Sequence, residues 1–146
     1  MRVGTALLAA AAGTTLLAAC GSSRLSHDEF VRRADAVCSS YDARVKKLRT
    51  PRTLVEVERY TARVLPIYRQ ALAELAALRP PKADEPMLQR LLAVDRRIVR
   101  DVRALQAAAA TRKIPDVEAV VRRSTADDRR SNALARKLGL KVCSRP

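Results

Sequence analysis

The sequence predicts an all-α fold, an antiparallel up-down four-helix bundle, and three observations carry that expectation. Apolar residues recur at steps of three and four along four long stretches. Capping residues and Pro- or Gly-bearing turns separate those stretches. The composition is 48% hydrophobic but only 3% aromatic, with no Trp and four Gly, which suits helices packed through small aliphatic layers better than β-strands. A chain of 146 residues has room for one domain of ordinary size.

The first helix opens on Ser26-His27-Asp28-Glu29, a capping box in which the hydroxyl and the carboxylate can each satisfy an orphan backbone donor. Phe30, Ala34, Val37, Tyr41, Val45 and Leu48 form its apolar face, and Thr50-Pro51 ends it. Thr53-Leu54-Val55-Glu56 repeats the capping signal for the second helix. Val57, Tyr60, Val64, Ile67, Tyr68, Ala71, Leu75 and Leu78 then line one side. Pro66 deletes one hydrogen bond of this run, so the axis should bend near Ala62 or the helix should divide in two. Arg79-Pro80-Pro81 stops it.

The third helix is expected from Asp84 to Pro86, where proline fits the first turn, through Leu88, Leu91, Leu92, Ile98, Val99, Val102, Leu105 and Ala109. A turn over Thr111 to Pro115 leads to a fourth helix capped by Asp116, with Val117, Val120, Val121, Leu134, Ala135 and Leu138 apolar. Gly139 before Leu140 has the pattern of a Schellman stop. Four helices of roughly 22 to 27 residues with short turns make a bundle about 35 to 40 Å long. It should occupy residues 26–146.

Met1 and Arg2 form a minimal cationic start, and Val3 to Leu17 is almost wholly apolar or small. That is the pattern of a signal peptide. The 17 residues from Val3 to Ala19 are at the short end for crossing a bilayer of about 30 Å. The stretch ends in Leu17-Ala18-Ala19-Cys20-Gly21, which resembles the bacterial lipobox. The resemblance implies a signal peptide over residues 1–19, cleavage before Cys20 and a diacylglyceryl group on its thiol. Two acyl chains give stable anchoring where one is marginal. Residues 20–25 would then be a lipidated tether, with Gly21 to Leu25 reaching at most about 17 Å. The expected location is the extracytoplasmic face of the cell membrane.

Three cysteines are an odd number in an exported chain, and lipidation of Cys20 leaves Cys38 and Cys143 as a pair. In an oxidising compartment a disulfide is the expectation. It would close a loop of about 100 residues, worth roughly 4.7 kcal/mol by loop entropy, and tie the C-terminal tail to the first helix. Ala36-Val37-Cys38 and Leu138-Gly139-Leu140-Lys141-Val142-Cys143 resemble the small helical lipoproteins of high-GC Gram-positive bacteria. That resemblance implies a helical body and an envelope location, and carries no mechanism.

Two carboxylates fall where apolar residues belong. At about 100° per residue Asp95 lies in the middle of the third helix's apolar face, and Asp128 does the same in the fourth, between Ser124 and Ser131. Residues equidistant from a turn share a level in an antiparallel pair. That rule gathers Ala34, Tyr68, Asp95 and Asp128 into one layer, with Ser124, Ser131 and Arg33 within reach. Three readings fit the layer: a satisfied polar network that sets helix register, a small-molecule pocket, or a metal or hydrolytic site. The third is the weakest, because the Glu-x-x-His pairs of carboxylate-bridged bundles are absent.

The formal charge is +14, and loss of the single cation Arg2 with the signal peptide leaves +13. Such an excess favours anionic lipid or an acidic envelope polymer, and abundant Arg and Ala also accord with a GC-rich genome and a merely solvated surface. No recognised module or interleaved aromatics points to nucleic acid. No phosphate loop, nucleophile elbow or HExxH occurs, two Cys and the lone His27 lack zinc spacing, and His27 is expected to face solvent. No metal or cofactor is implied. The leading expectation is a non-enzymatic envelope lipoprotein, held to the membrane by Cys20, with a binding or scaffold role toward a protein partner, polymer or ligand. The alternative is a small-molecule-binding or hydrolytic bundle using Asp95, Asp128 and Tyr68.

Overall fold

The computed structural model of the chain describes residues 24–145, so the expected signal peptide, Cys20 and most of the tether lie outside the described residues. Four helices follow in order: α1 (His27–Val45), α2 (Leu54–Ala77), α3 (Glu85–Ala110) and α4 (Ile114–Lys137). No strand occurs among the described residues. Each helix packs against the next in an antiparallel up-down bundle, whereas the backbones of α1 and α4 stay apart. That gap creates the candidate site.

The caps explain where the helices start. Ser26 Oγ accepts the Glu29 amide at 3.3 Å, and Thr53 Oγ1 accepts that of Glu56 at 3.2 Å. Glu56 returns the favour one residue early, taking the Arg52 amide at 2.7 Å, while Glu29 turns instead to Arg32 and Arg33. Pro66 does not divide α2. It sits on the exposed side together with Ala62, so the carbonyl it strands can meet water.

Two boundaries differ from expectation. α1 ends at Val45, since Lys47 and Leu48 close tighter bonds onto Arg44 and Val45. The following Lys46, Lys47 and Arg49 repel one another, and Thr50 is held out of the helical region by Pro51. α4 starts at Ile114 with Lys113 as its cap and Pro115 in the first turn, so Asp116 serves the helix dipole inside that turn and does not cap it. A further difference is Val121, expected on the apolar face and 46% exposed.

The core gathers at the end of the bundle where α1 begins. Phe30, Leu88, Leu91, Leu92, Leu138 and Leu140 are almost completely buried, and Ala34, Leu75 and Ala135 complete the cluster. Each large side chain so buried contributes about 1.5–3 kcal/mol. Leu140 arrives there through the predicted Schellman stop: its amide donates to Ala135 O at 3.0 Å, the Gly139 amide to Arg136 O at 3.0 Å, and Gly139 has φ +77°. The residues after it fold back along α1, where Cys143 and Cys38 form a disulfide with Cα atoms 5.2 Å apart.

The expected six-residue tether is also shorter. Leu25 donates its amide to Arg79 O at 2.8 Å and packs against the core cluster. Arg24 reaches Pro80 O at 3.1 Å and Glu85 at 2.8 Å. Arg24 and Leu25, expected in the tether, are thus held against the folded body.

Candidate functional site

Above the core, the space between α1 and α4 is a groove of about 330 Å³ floored by α2 and α3 and walled on one side by the returning tail. Asp95 lies on its floor at 6% exposure. One of its oxygens, Oδ1, accepts the Ser131 hydroxyl at 2.6 Å and the Tyr68 hydroxyl at 3.5 Å. Burial pushes its carboxyl up to about 6; those two hydrogen bonds pull down, and the Asp128 charge adds to the rise. Tyr68 is itself raised far above its usual range by burial first and by the Asp95 charge next. It stays a neutral donor throughout the physiological range.

Tyr41 of α1 meets Tyr68 with ring centroids 5.4 Å apart and planes tilted by 44°, within the range of favourable aromatic pairs. Burial raises its hydroxyl to about 12. Asp128 and Ser124 of α4 also line the groove, but Asp128 is exposed at its rim. Partial desolvation there, then the charges of Asp127 and Asp101, raise its carboxyl as well.

The structure thus brings together Tyr68, Asp95 and Ser131 by direct bonds and sets Asp128 and Ser124 in the same groove. Arg33 is elsewhere. It is exposed and bonded to Glu29 of its own helix, because the level rule misjudged the α1–α2 pair. The partner of Tyr68 is Tyr41, two turns beyond Ala34: the early end of α1 and the long connection before Leu54 slide the helix along α2. A smaller slip affects α4, where Ser131, three residues later than expected, meets Asp95 and Asp128 stands at the rim.

Several groups escaped the sequence reading. Asp127 takes Arg97 in two bonds of 2.9 Å, and Asp101 takes Arg123 at 2.7 Å, fastening α3 to α4 outside the groove. The Arg97 guanidinium holds the Asp127 carboxyl below the usual range. His27 is not merely solvated: its Nδ1 lies 2.8 Å from Asp84 Oδ2, and that hydrogen bond raises its pKa. Asp42 of α1 and Arg145 of the tail line the groove, Asp42 one residue off the apolar face and so invisible to a strict periodicity.

No helix among the described residues is long and apolar enough to cross a membrane. No three of their carboxylate, cysteine or histidine side chains converge to hold a metal ion. Comparisons with protein-family models, with curated proteins and with solved structures gave no match. The chemistry of the groove is therefore read from its own residues.

Proposed function

We propose that this protein is a membrane-tethered, extracytoplasmic binding protein of the cell envelope, anchored through lipid on Cys20 and holding a small ligand in the groove between α1 and α4. The observation that carries the ligand site is the groove itself: about 330 Å³, with an apolar wall and a few convergent polar groups on a rigid helical floor. The address is supported by Leu17-Ala18-Ala19-Cys20 after an apolar run, and by a Cys38–Cys143 disulfide of the kind that persists in oxidising compartments. In this reading a protein or polymer partner would meet the body from outside the membrane.

Two measurements test it. Mass spectrometry of the mature N-terminus should find residues 1–19 gone and a diacylglyceryl mass on Cys20; a chain that retains Met1 removes the anchor. Small molecules released on denaturing protein purified from native membranes should differ between the wild type and Ser124→Trp, which fills the groove from its wall. Identical sets from both would sink the groove as the binding site.

A second reading, a hydrolytic bundle, rests on one observation: Asp95, pushed up to about 6, accepts a hydroxyl that a base would activate. Asp128, its expected partner, stands at the rim. Turnover abolished by Asp95→Asn with ligand binding retained would favour this second reading.

A further inference from the structure

We infer that the ligand of this groove is a small organic cation, an amine or quaternary ammonium, held between tyrosine rings and carboxylates. The inference rests on the reading of the groove as a binding site and adds the chemistry of what it takes.

The first ground is a reversal of charge. Lys and Arg number 29 in the chain against 15 Asp and Glu, so a groove lined at random should be cationic. Two others are. The groove between α3 and α4 is lined by Arg90, Arg97, Arg130 and Lys137 with no acid, and the one beside the α1–α2 connection by Arg49, Arg59 and Arg63 with Glu56 alone. The α1–α4 groove inverts this, with Asp42, Asp95 and Asp128 against a single cation, Arg145. A local field of opposite sign to the rest of the protein draws in cations and repels anions.

The second ground is the placement of the aromatics. The chain has three Tyr, one Phe and no Trp. Phe30 is in the core, and all three tyrosines, Tyr41, Tyr60 and Tyr68, line this one groove. A ring face attracts a cation through its quadrupole, and more so where water is excluded. Tyrosines and carboxylates together suit a cation with an apolar body, whereas a metal ion would need converging ligands, which the described residues do not offer. The volume of about 330 Å³ fits a molecule of modest size.

The absence of Trp makes the test direct, since intrinsic tyrosine emission comes from three residues that all line the groove, of which only Tyr60 also borders the pocket beside the α1–α2 connection. The full mature protein, in non-ionic detergent and amine-free phosphate buffer, is titrated with choline and with 3,3-dimethyl-1-butanol, its neutral counterpart of the same shape. Calorimetry runs alongside. Choline should change the emission saturably and bind at least about tenfold more tightly than the alcohol, the cation being favoured by charge and ring face together. Asp42→Asn combined with Asp128→Asn, both away from the core, should weaken choline about tenfold. Tyr41→Leu should weaken it about fivefold. Circular dichroism establishes that each variant is folded. Equal binding of the alcohol, an undiminished affinity in the double variant, or no binding of choline to the folded wild type would each overturn the cation. None of these would touch the groove as a site for an uncharged ligand, which stands or falls on the Ser124→Trp comparison.

Discussion

Asp95 is a carboxylate on the core face of α3, and burial disfavours its charged form. Its folded pKa of about 6 lies above the ordinary 3.8, so as pH rises the unfolded chain releases this proton first. The stability it contributes is whole below about pH 4 and is lost by about pH 6, a difference of roughly 3 kcal/mol. Asp95→Asn keeps an acceptor for Ser131 and carries no charge. The variant should match the wild type in urea unfolding at pH 4 and exceed it by about 2 kcal/mol at pH 7.5; equal midpoints at pH 7.5 would show that the charge is not costly. His27 runs in the same direction over a higher window. Its pKa is raised by Asp84, so its contribution is present below about pH 6.5 and fades as pH passes the folded value. His27→Gln should flatten that upper slope of stability against pH and leave the lower one unchanged; a slope unaltered above pH 6.5 would mean that the pair is idle. Asp95 was legible because a charge interrupting an apolar stripe is conspicuous in sequence. Asp127 was not, because a carboxylate off the stripe resembles any solvated acid until Arg97 is seen across from it.

Among the elements, the C-terminal tail depends most on a few contacts. Asp35 of α1 accepts three of its backbone amides, Lys141 at 3.0 Å, Val142 at 2.8 Å and Cys143 at 3.3 Å, one turn before the disulfide at Cys38. A charged acceptor shared by successive amides has no counterpart in a sequence pattern, and only the fold-back after Gly139 creates it. Asp35→Ala should lower stability by about 2–3 kcal/mol in urea unfolding. It should also hasten reduction of the disulfide by dithiothreitol, because opening of the tail exposes the sulfurs; an unchanged reduction rate would separate the clamp from the bond. The helices themselves were legible in existence and order, since their periodicity, caps and prolines all agree. Their relative heights were less so. The level rule assumes symmetric turns, which holds for Tyr68 with Asp95 across the Pro80-Pro81 corner and fails between α1 and α2, where Tyr41, four residues from the end of α1, meets Tyr68, fourteen residues into α2. An error of two turns there was enough to put Arg33 in a layer that it never reaches.

At the scale of the molecule, tether, groove and charge define an orientation. Arg24 is held at the corner between α2 and α3, so a lipid on Cys20 would bring that end of the bundle within about 15 Å of the headgroups. Tyr41 lies fourteen residues beyond His27, about 21 Å further from the surface, and the groove opens in that far half. The basic flanks oppose an upright stance, since each cation drawn to an anionic leaflet contributes about 1 kcal/mol. Screening decides between them. At physiological ionic strength the field decays over about 8 Å, so Arg24 and Lys82 near the corner can come within its reach, whereas the cations of the far half cannot while the bundle stands upright. The lipidated protein should therefore stand on its tethered end. Tryptophan placed at Lys82 or at Lys113, in turns separated by the 26 residues of α3, or about 39 Å, distinguishes the poses. On vesicles carrying a nitroxide headgroup lipid at 0.15 M salt, Lys82→Trp should be strongly quenched and Lys113→Trp spared. As salt is lowered on anionic vesicles, quenching at Lys113→Trp should rise as the flank is drawn down. Equal quenching at both turns in physiological salt would mean that the bundle lies flat, with charge rather than the lipid setting its pose.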